Sequence, residues 1–181
     1  MHWRTTAAQW GWLTMLIHWL TALVVFGLFG LGLWMVELDY YDSWYRKGPD
    51  LHKSIGSLLF IMTLLRLLLR RIEGKPAPLA TQSSREHMLA QGAHRLLYLL
   101  LIAVMGFGYL ISTADGRAIE VFGWFAVPAT IHGIDKQEDI AGVIHLSLAI
   151  ILISLVVLHA LAAIKHHVLD KDRTLKRMLG L

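Results

Sequence analysis

The sequence contains no cysteine. This absence excludes disulfides, iron–sulfur clusters, thiolate zinc sites and the covalent attachment of c-type haem. Charged residues are also scarce, because they make up 17% of the 181 residues, whereas soluble domains contain about one quarter. Hydrophobic residues account for 56% of the chain, and the mean hydropathy is +0.54. This composition favours an integral membrane protein, and the length favours a single domain.

Four segments of the chain are long and apolar enough to cross a bilayer, which requires about 20 residues. We expect helices over about 11–36, 51–72, 93–112 and 140–167. The predicted fold class is therefore all-α, an integral membrane four-helix bundle that forms one domain over residues 1–181. The lipid bilayer is then a partner of the whole chain.

Basic residues are distributed unevenly between the two ends of the predicted spans. Eleven lie in the N-terminus, in the loop between the second and third spans, and in the C-terminal tail. The other two loops and their helix ends hold five basic residues together with nine carboxylates. The positive-inside rule then places both termini in the cytoplasm of a multi-pass protein of the bacterial inner membrane. This asymmetry also accounts for the net charge of +4 without a nucleic-acid partner.

The second outer loop contains the aromatic run Val121–Phe122–Gly123–Trp124–Phe125. Tryptophan is favoured at the level of the lipid headgroups. We therefore expect this run to form an interfacial segment.

Four of the ten histidines lie inside or at the edge of the predicted spans, where ionisable side chains are costly and usually functional. They are His18, His52, His145 and His159. His145 and His159 are 14 residues apart, which is within about 40° of four full helical turns, so both face the same way. The helical rise separates them by about 21 Å along the axis. The fourth helix therefore presents two sites on one face, one near each membrane surface.

The direction of each span assigns a partner of matching depth to each histidine. His18 and His159 lie near the inner surface, and His52 and His145 lie near the outer surface. Two histidines fill both axial positions of a haem iron and leave no site for oxygen or substrate, which suits the transfer of single electrons. We therefore predict b haems at two sites, with these four histidines as the iron ligands.

Residues at the same offset of 14, and small neighbours, favour a flat cofactor. Gly32 follows His18 by 14 residues and would make room for a wide, flat group at the outer level. Arg66 follows His52 by 14 residues and would pair with a haem propionate at the inner level. A small residue also lies within one turn of each histidine, namely Ala22, Gly56, Gly142 and Ala163. A porphyrin needs that clearance, whereas a bare zinc or copper ion does not.

Two further histidines on the cytoplasmic side are candidate site residues. His94 begins the third span and is either a rival inner ligand or a quinone-site or structural residue. His166 lies about two turns beyond His159 on the same face and would serve in quinone binding or proton delivery. No catalytic residue is assigned. The residues alone also leave open a metal or proton transporter that uses the histidines directly.

The sequence around each of these histidines forms a short motif. The motifs are Ile17–His18–Trp19, Leu51–His52–Lys53–Ser54–Ile55–Gly56, Ala93–His94–Arg95–Leu96–Leu97–Tyr98, Gly142–Val143–Ile144–His145 and Leu158–His159–Ala160. The outer stretch Ser112–Thr113–Ala114–Asp115–Gly116 and the tail Lys165–His166–His167–Val168–Leu169–Asp170–Lys171–Asp172 extend the set over nearly the whole chain. Together they resemble the bacterial cytochrome b561 family, the four-helix group related to the cytochrome b subunits of nickel-iron hydrogenases.

The resemblance implies two b haems held by the same four histidines, and electron exchange with ubiquinone as a substrate in the inner membrane. The predicted function is transmembrane electron transfer in a respiratory chain, between an unidentified periplasmic donor or acceptor and the ubiquinone pool. One family member is similar in layout to a superoxide oxidase, so a superoxide:ubiquinone oxidoreductase is an alternative. The acidic excess of the outer loops opposes strong steering of an anion. A membrane anchor subunit of a periplasmic dehydrogenase is a further alternative.

Overall fold

The computed structural model describes residues 3–79 and 82–181 of the chain. Four long helices account for most of these residues: α1 (Trp12–Met35), α2 (Lys47–Glu73), α3 (Ser84–Thr113) and α4 (Gln137–Val168). The other described elements are a two-stranded antiparallel hairpin and a short helix: β1 (Ile119–Val121), β2 (Phe125–Val127) and α5 (Thr174–Leu179). The predicted all-α class is confirmed, with the hairpin as a small addition.

Helices α1, α3 and α4 are each long and apolar enough to cross a membrane. Their 24, 30 and 32 residues give lengths above the roughly 30 Å of a bilayer's hydrocarbon core. Most of their apolar side chains are exposed, among them Leu23, Leu99 and Val143. Because an apolar exterior is stable against lipid and not against water, the chain is a multi-pass membrane protein.

Helix α2 coincides with the second predicted span but differs in composition from the other long helices. It has 27 residues, and seven of them are charged, including Lys53, Arg66 and Arg70. It is not among the helices that qualify as spans by length and apolar character. Its crossing of the membrane therefore stays a prediction, and so does the four-helix bundle with cytoplasmic termini.

Helix α3 begins at Ser84 and not near residue 93 as predicted. Ser83 and Glu86 cap it reciprocally. The Glu86 carboxylate accepts a hydrogen bond from the Ser83 N–H at 2.9 Å, and the Ser83 hydroxyl accepts one from the Glu86 N–H at 3.3 Å. This Ser-x-x-Glu capping box is present in the sequence. A boundary drawn from hydropathy misses it because the first turns of α3 are polar.

The aromatic run after α3 forms the tip of the β-hairpin. Phe122 and Gly123 occupy the turn with φ of 51° and 70°, values that glycine alone adopts without strain. The Ser54 hydroxyl donates to the Glu120 carbonyl at 3.2 Å and accepts from the Phe122 N–H at 3.3 Å. These two bonds tie the hairpin to α2. The location of the run at headgroup level stays a prediction.

The chain divides into two compact units, and each contains part of every long helix. The first unit combines the segment up to Ala22 with Met62–Leu99 and Ser154–Leu181. The second unit combines Leu23–Ile61 with Leu100–Ile153. The single domain over the whole chain stays a prediction.

Hydrogen bonds between residues distant in sequence stabilise each unit. In the first unit, the Glu73 carboxylate accepts from the N–H and the hydroxyl of Thr5 at 3.1 and 2.8 Å. In the second unit, the Gln137 amide donates to the carbonyls of Leu110 and Ile131 at 2.9 and 3.1 Å. Gln137 is buried, so its amide satisfies backbone oxygens that water does not reach.

We expect Gln137→Leu to lower the free energy of unfolding by about 1–3 kcal/mol, because two backbone carbonyls lose their buried donor. Thermal or denaturant unfolding of the purified protein in detergent measures the change. Gln91→Leu is the matched control, since the Gln91 amide contacts the neighbouring His87 ring on its own helix. Equal losses in the two variants would contradict the role given to Gln137.

Candidate haem-binding site

The four histidines predicted as ligands lie in two pairs, one in each compact unit. In the first unit, the ring centroids of His18 on α1 and His159 on α4 are 6.4 Å apart. In the second unit, those of His52 on α2 and His145 on α4 are 6.2 Å apart. We name these the inner pair and the outer pair, after their predicted depths. The structure brings together the same partners that spacing and span direction predict.

The ring spacing of both pairs matches two imidazoles on opposite sides of one metal ion. An imidazole nitrogen binds such an ion at about 2.0–2.1 Å, and the ring centre lies about 1.15 Å behind it, so the expected centroid separation is about 6.3 Å. The observed separations of 6.4 and 6.2 Å agree with that value. Each pair is therefore spaced to fill both axial positions of an iron ion.

His94 on α3 lies beside the inner pair but at a different spacing. Its ring centroid is 5.2 Å from that of His159, which is about 1 Å too short for ligands on opposite sides of one ion. His18 meets the required distance. The geometry therefore favours His18 over its rival His94 as the partner of His159.

The hydrogen bond of His145 prepares its other ring nitrogen for a metal. Nδ1 of His145 lies 2.9 Å from the carbonyl oxygen of Val104. A carbonyl only accepts, so Nδ1 carries the proton and Nε2 of the neutral ring holds a lone pair. Metal-ligating histidines commonly donate their second nitrogen to a carbonyl in this way.

Arg66 contacts a histidine of the inner pair. Its Nη2 lies 2.8 Å from Nδ1 of His18, and because a guanidinium only donates, Nδ1 accepts. A neutral His18 ring then carries its proton on Nε2. For Nε2 of His18 to bind a metal, Arg66 has to release Nδ1 or the ring has to lose that proton.

Two glycines allow the rings of the outer pair to approach neighbouring helices. A Cβ added at Gly32 on α1 would lie 3.2 Å from Cε1 of His52. One added at Gly108 on α3 would lie 3.1 Å from Cε1 of His145. Gly32 was predicted to make room for a flat group, but the imidazole of His52 itself occupies the space that a Cβ would need.

Gly108 is a residue that the sequence argument missed although a signal was present. It follows His94 by 14 residues, the same offset that relates Gly32 to His18. Applied to the third helix as well, the offset would have found it.

Open space lies beside the outer pair at two other glycines. A Cβ added at Gly56 or Gly142 would meet nothing within 4 Å. Gly56 is one turn after His52, and Gly142 is three residues before His145. The clearance predicted for a porphyrin is thus present at these two positions.

His166 belongs to a polar cluster at the C-terminal end of α4. Its Nδ1 lies 2.7 Å from Oδ2 of Asp170 and 3.6 Å from Oδ2 of Asp172. Lys165 donates to the same oxygen of Asp170 at 2.6 Å, and this hydrogen bond lowers the pKa of Asp170 below its usual value. The polar partners of His166 are therefore carboxylates and not the inner pair.

A cavity of about 600 Å³ adjoins the N-terminal part of α2 in the second unit. Three basic side chains line it: Lys47, Lys53 and Arg117. Two of them are already neutralised, since Lys53 pairs with Asp50 at 2.9 Å and Nε of Arg117 donates to Asp115 at 2.6 Å. The bond from Arg117 lowers the pKa of Asp115, so this ion pair persists to low pH.

Known proteins resemble the chain over nearly its full length. The family model described as prokaryotic cytochrome b561 matches residues 9–181. Cytochrome b561 homolog 2 of Escherichia coli (strain K12) is 51% identical over 180 residues, which cover 99% of this chain and 96% of that protein. The probable superoxide oxidase CybB of Yersinia pestis is 30% identical over 164 residues, covering 90% and 91%. Cytochrome b561 homolog 1 of Escherichia coli (strain K12) is 25% identical over 170 residues, covering 90% and 92%.

The matched region contains both histidine pairs, and three of its helices are apolar enough to cross a membrane. Family membership implies haem b and electron transport. The chain belongs to the prokaryotic cytochrome b561 family and is a membrane b-type cytochrome.

Proposed function

We propose that the chain transfers single electrons across the bacterial inner membrane through two b haems, one at the inner pair and one at the outer pair. The observation that carries this proposal is the spacing of the pairs, 6.4 and 6.2 Å between ring centroids. Haem supplies the one-electron couple of its iron, and the surrounding protein sets its potential.

Other residues of the chain fit the same cofactor. The bond from His145 to Val104 leaves Nε2 available, and the open space at Gly56 and Gly142 would admit the edge of a porphyrin. Arg66 would pair with a propionate after releasing His18. Two histidines for each iron leave no coordination site for oxygen, so the donor set favours electron transfer over chemistry at the metal.

The proposal includes a four-span topology with both termini in the cytoplasm. The excess of basic residues in the termini and in the loop between α2 and α3 supports it. The inner pair would then exchange electrons with ubiquinone, and the outer pair with a periplasmic donor or acceptor. His94, which lies 5.2 Å from His159, suits a quinone site, and His166 with its carboxylates suits proton delivery.

Replacement of one ligand should remove one haem and leave the other. We expect His145→Ala and His159→Ala each to retain about half of the wild-type haem, because an iron that loses one of two axial ligands is weakly held. His94→Ala is the control and should keep both haems. The haem-to-protein ratio of each purified variant measures the effect. Full haem in every ligand variant would favour a transporter that uses the histidines directly.

A single methyl group at Gly108 should disturb the outer pair. We expect Gly108→Ala to shift or weaken the absorbance of one haem, because the new Cβ would lie 3.1 Å from the His145 ring. Gly106→Ala is the matched control on the same helix, since a Cβ there meets nothing within 4 Å. Reduced-minus-oxidised spectra compare the variants. Identical spectra would show that close approach at Gly108 does not matter.

Superoxide oxidation coupled to ubiquinone reduction is a second candidate function. Its support is the 30% identity to the probable superoxide oxidase of Yersinia pestis and the cavity lined by Lys47, Lys53 and Arg117. Basic side chains attract an anion, although Lys53 and Arg117 already pair with carboxylates.

Quinone reduction during continuous generation of superoxide tests this second function. A superoxide oxidase should reduce a soluble ubiquinone faster than the protein-free mixture does, and His52→Ala should lose that activity. A rate no higher than without protein would exclude superoxide as the donor and leave the electron carrier.

A further inference from the structure

Two arginines of α2 lie against the same tyrosine in the first unit. The guanidinium carbons of Arg66 and Arg70 are 5.5 and 5.3 Å from the ring centroid of Tyr98 on α3. These arginines are four residues apart and therefore share one face of α2. Both distances suit cation–π attraction, so two positive charges lie around one aromatic ring. We name these three residues the arginine–tyrosine cluster.

The cluster lacks an anion that would offset its charge. Among residues 3–79 and 82–181, no carboxylate forms an ion pair with either guanidinium. The Tyr98 hydroxyl and Nε of Arg66 are buried without a hydrogen-bond partner in that same part of the chain. Like charges one turn apart repel, and buried donors without acceptors cost stability. An acceptor with negative charge would remove both penalties.

The cluster adjoins the inner pair. Nη2 of Arg66 lies 2.8 Å from Nδ1 of His18. Tyr98 lies one turn after His94 on α3, and the ring of His94 is 5.2 Å from that of His159. A group bound by the cluster would therefore lie beside the inner pair.

We propose that Arg66, Arg70 and Tyr98 form a clamp for an anionic oxygen group next to the inner pair. The two guanidinium groups and the phenol supply only donors to such a group, and hydrogen bonds from charged donors are strong. The clamp rests on the proposed function, because that function supplies two sources of this chemistry. One is a propionate carboxylate of the inner haem, and the other is an oxygen of ubiquinone reduced at the inner site.

Three variants of the haem-loaded protein test the clamp. Arg70→Gln removes one charge, and Tyr98→Phe removes only the hydroxyl. Arg71→Gln is the matched control, because it makes the same change at the next residue of α2, whose side chain is exposed. Redox titration gives the midpoint potential of each haem. Stopped-flow oxidation of the reduced protein by a short-chain ubiquinone gives the half-saturating quinone concentration.

The two sources predict different results. If the clamp binds a propionate, Arg70→Gln lowers the midpoint potential of one haem, because a cation near the iron favours the reduced form. The quinone dependence then stays unchanged. If it binds a quinone oxygen, Arg70→Gln and Tyr98→Phe raise the half-saturating concentration by roughly ten- to a hundredfold, as loss of a hydrogen bond to a charged group implies.

Arg70→Lys keeps the charge and should restore most of either effect, which separates a lost charge from a misfolded variant. Potentials and quinone dependence in Arg70→Gln and Tyr98→Phe that equal those of Arg71→Gln would overturn the clamp. Haem absorbance of the wild-type protein is read before any variant is compared. Its absence would contradict the proposed function, so the two failures are distinguishable.

Discussion

The structure depends on the cost of placing imidazoles among apolar helices. Each of the four histidines is half-buried on a long helix, and a polar ring removed from water needs partners that offset its lost solvation. The helices meet this cost by bringing the rings together two by two, at the spacing that one metal ion between them requires. Helix α4 contributes one histidine to each pair, so its period relates the two proposed haem sites.

The sequence predicts the apolar part of the fold well and its polar ends poorly. Helices α1 and α4 were expected near 11–36 and 140–167, and they cover Trp12–Met35 and Gln137–Val168. Hydropathy suffices there because lipid selects for it. It fails at the start of α3, where a Ser-Glu cap extends the helix through polar turns. It also fails at the hairpin, where contacts with Ser54 accompany the positive φ of Phe122.

For the candidate site, the sequence predicts which rings meet but not what surrounds them. The period of the helix and the direction of each span are regular, so His18 with His159 and His52 with His145 follow from counting residues. The contact of Arg66 with His18 depends on side-chain rotamers, which counting does not give. The meeting of Arg70 with Tyr98 depends on the register between α2 and α3.

The measurement that tests the central claim most directly is the haem-to-chain ratio of the purified wild-type protein. It combines a reduced-minus-oxidised spectrum with pyridine haemochrome quantification against protein mass. Two ligand pairs predict two b haems for each chain, both low-spin because both axial positions are filled. One haem for each chain would contradict the pairing of all four histidines, and none would contradict haem ligation altogether.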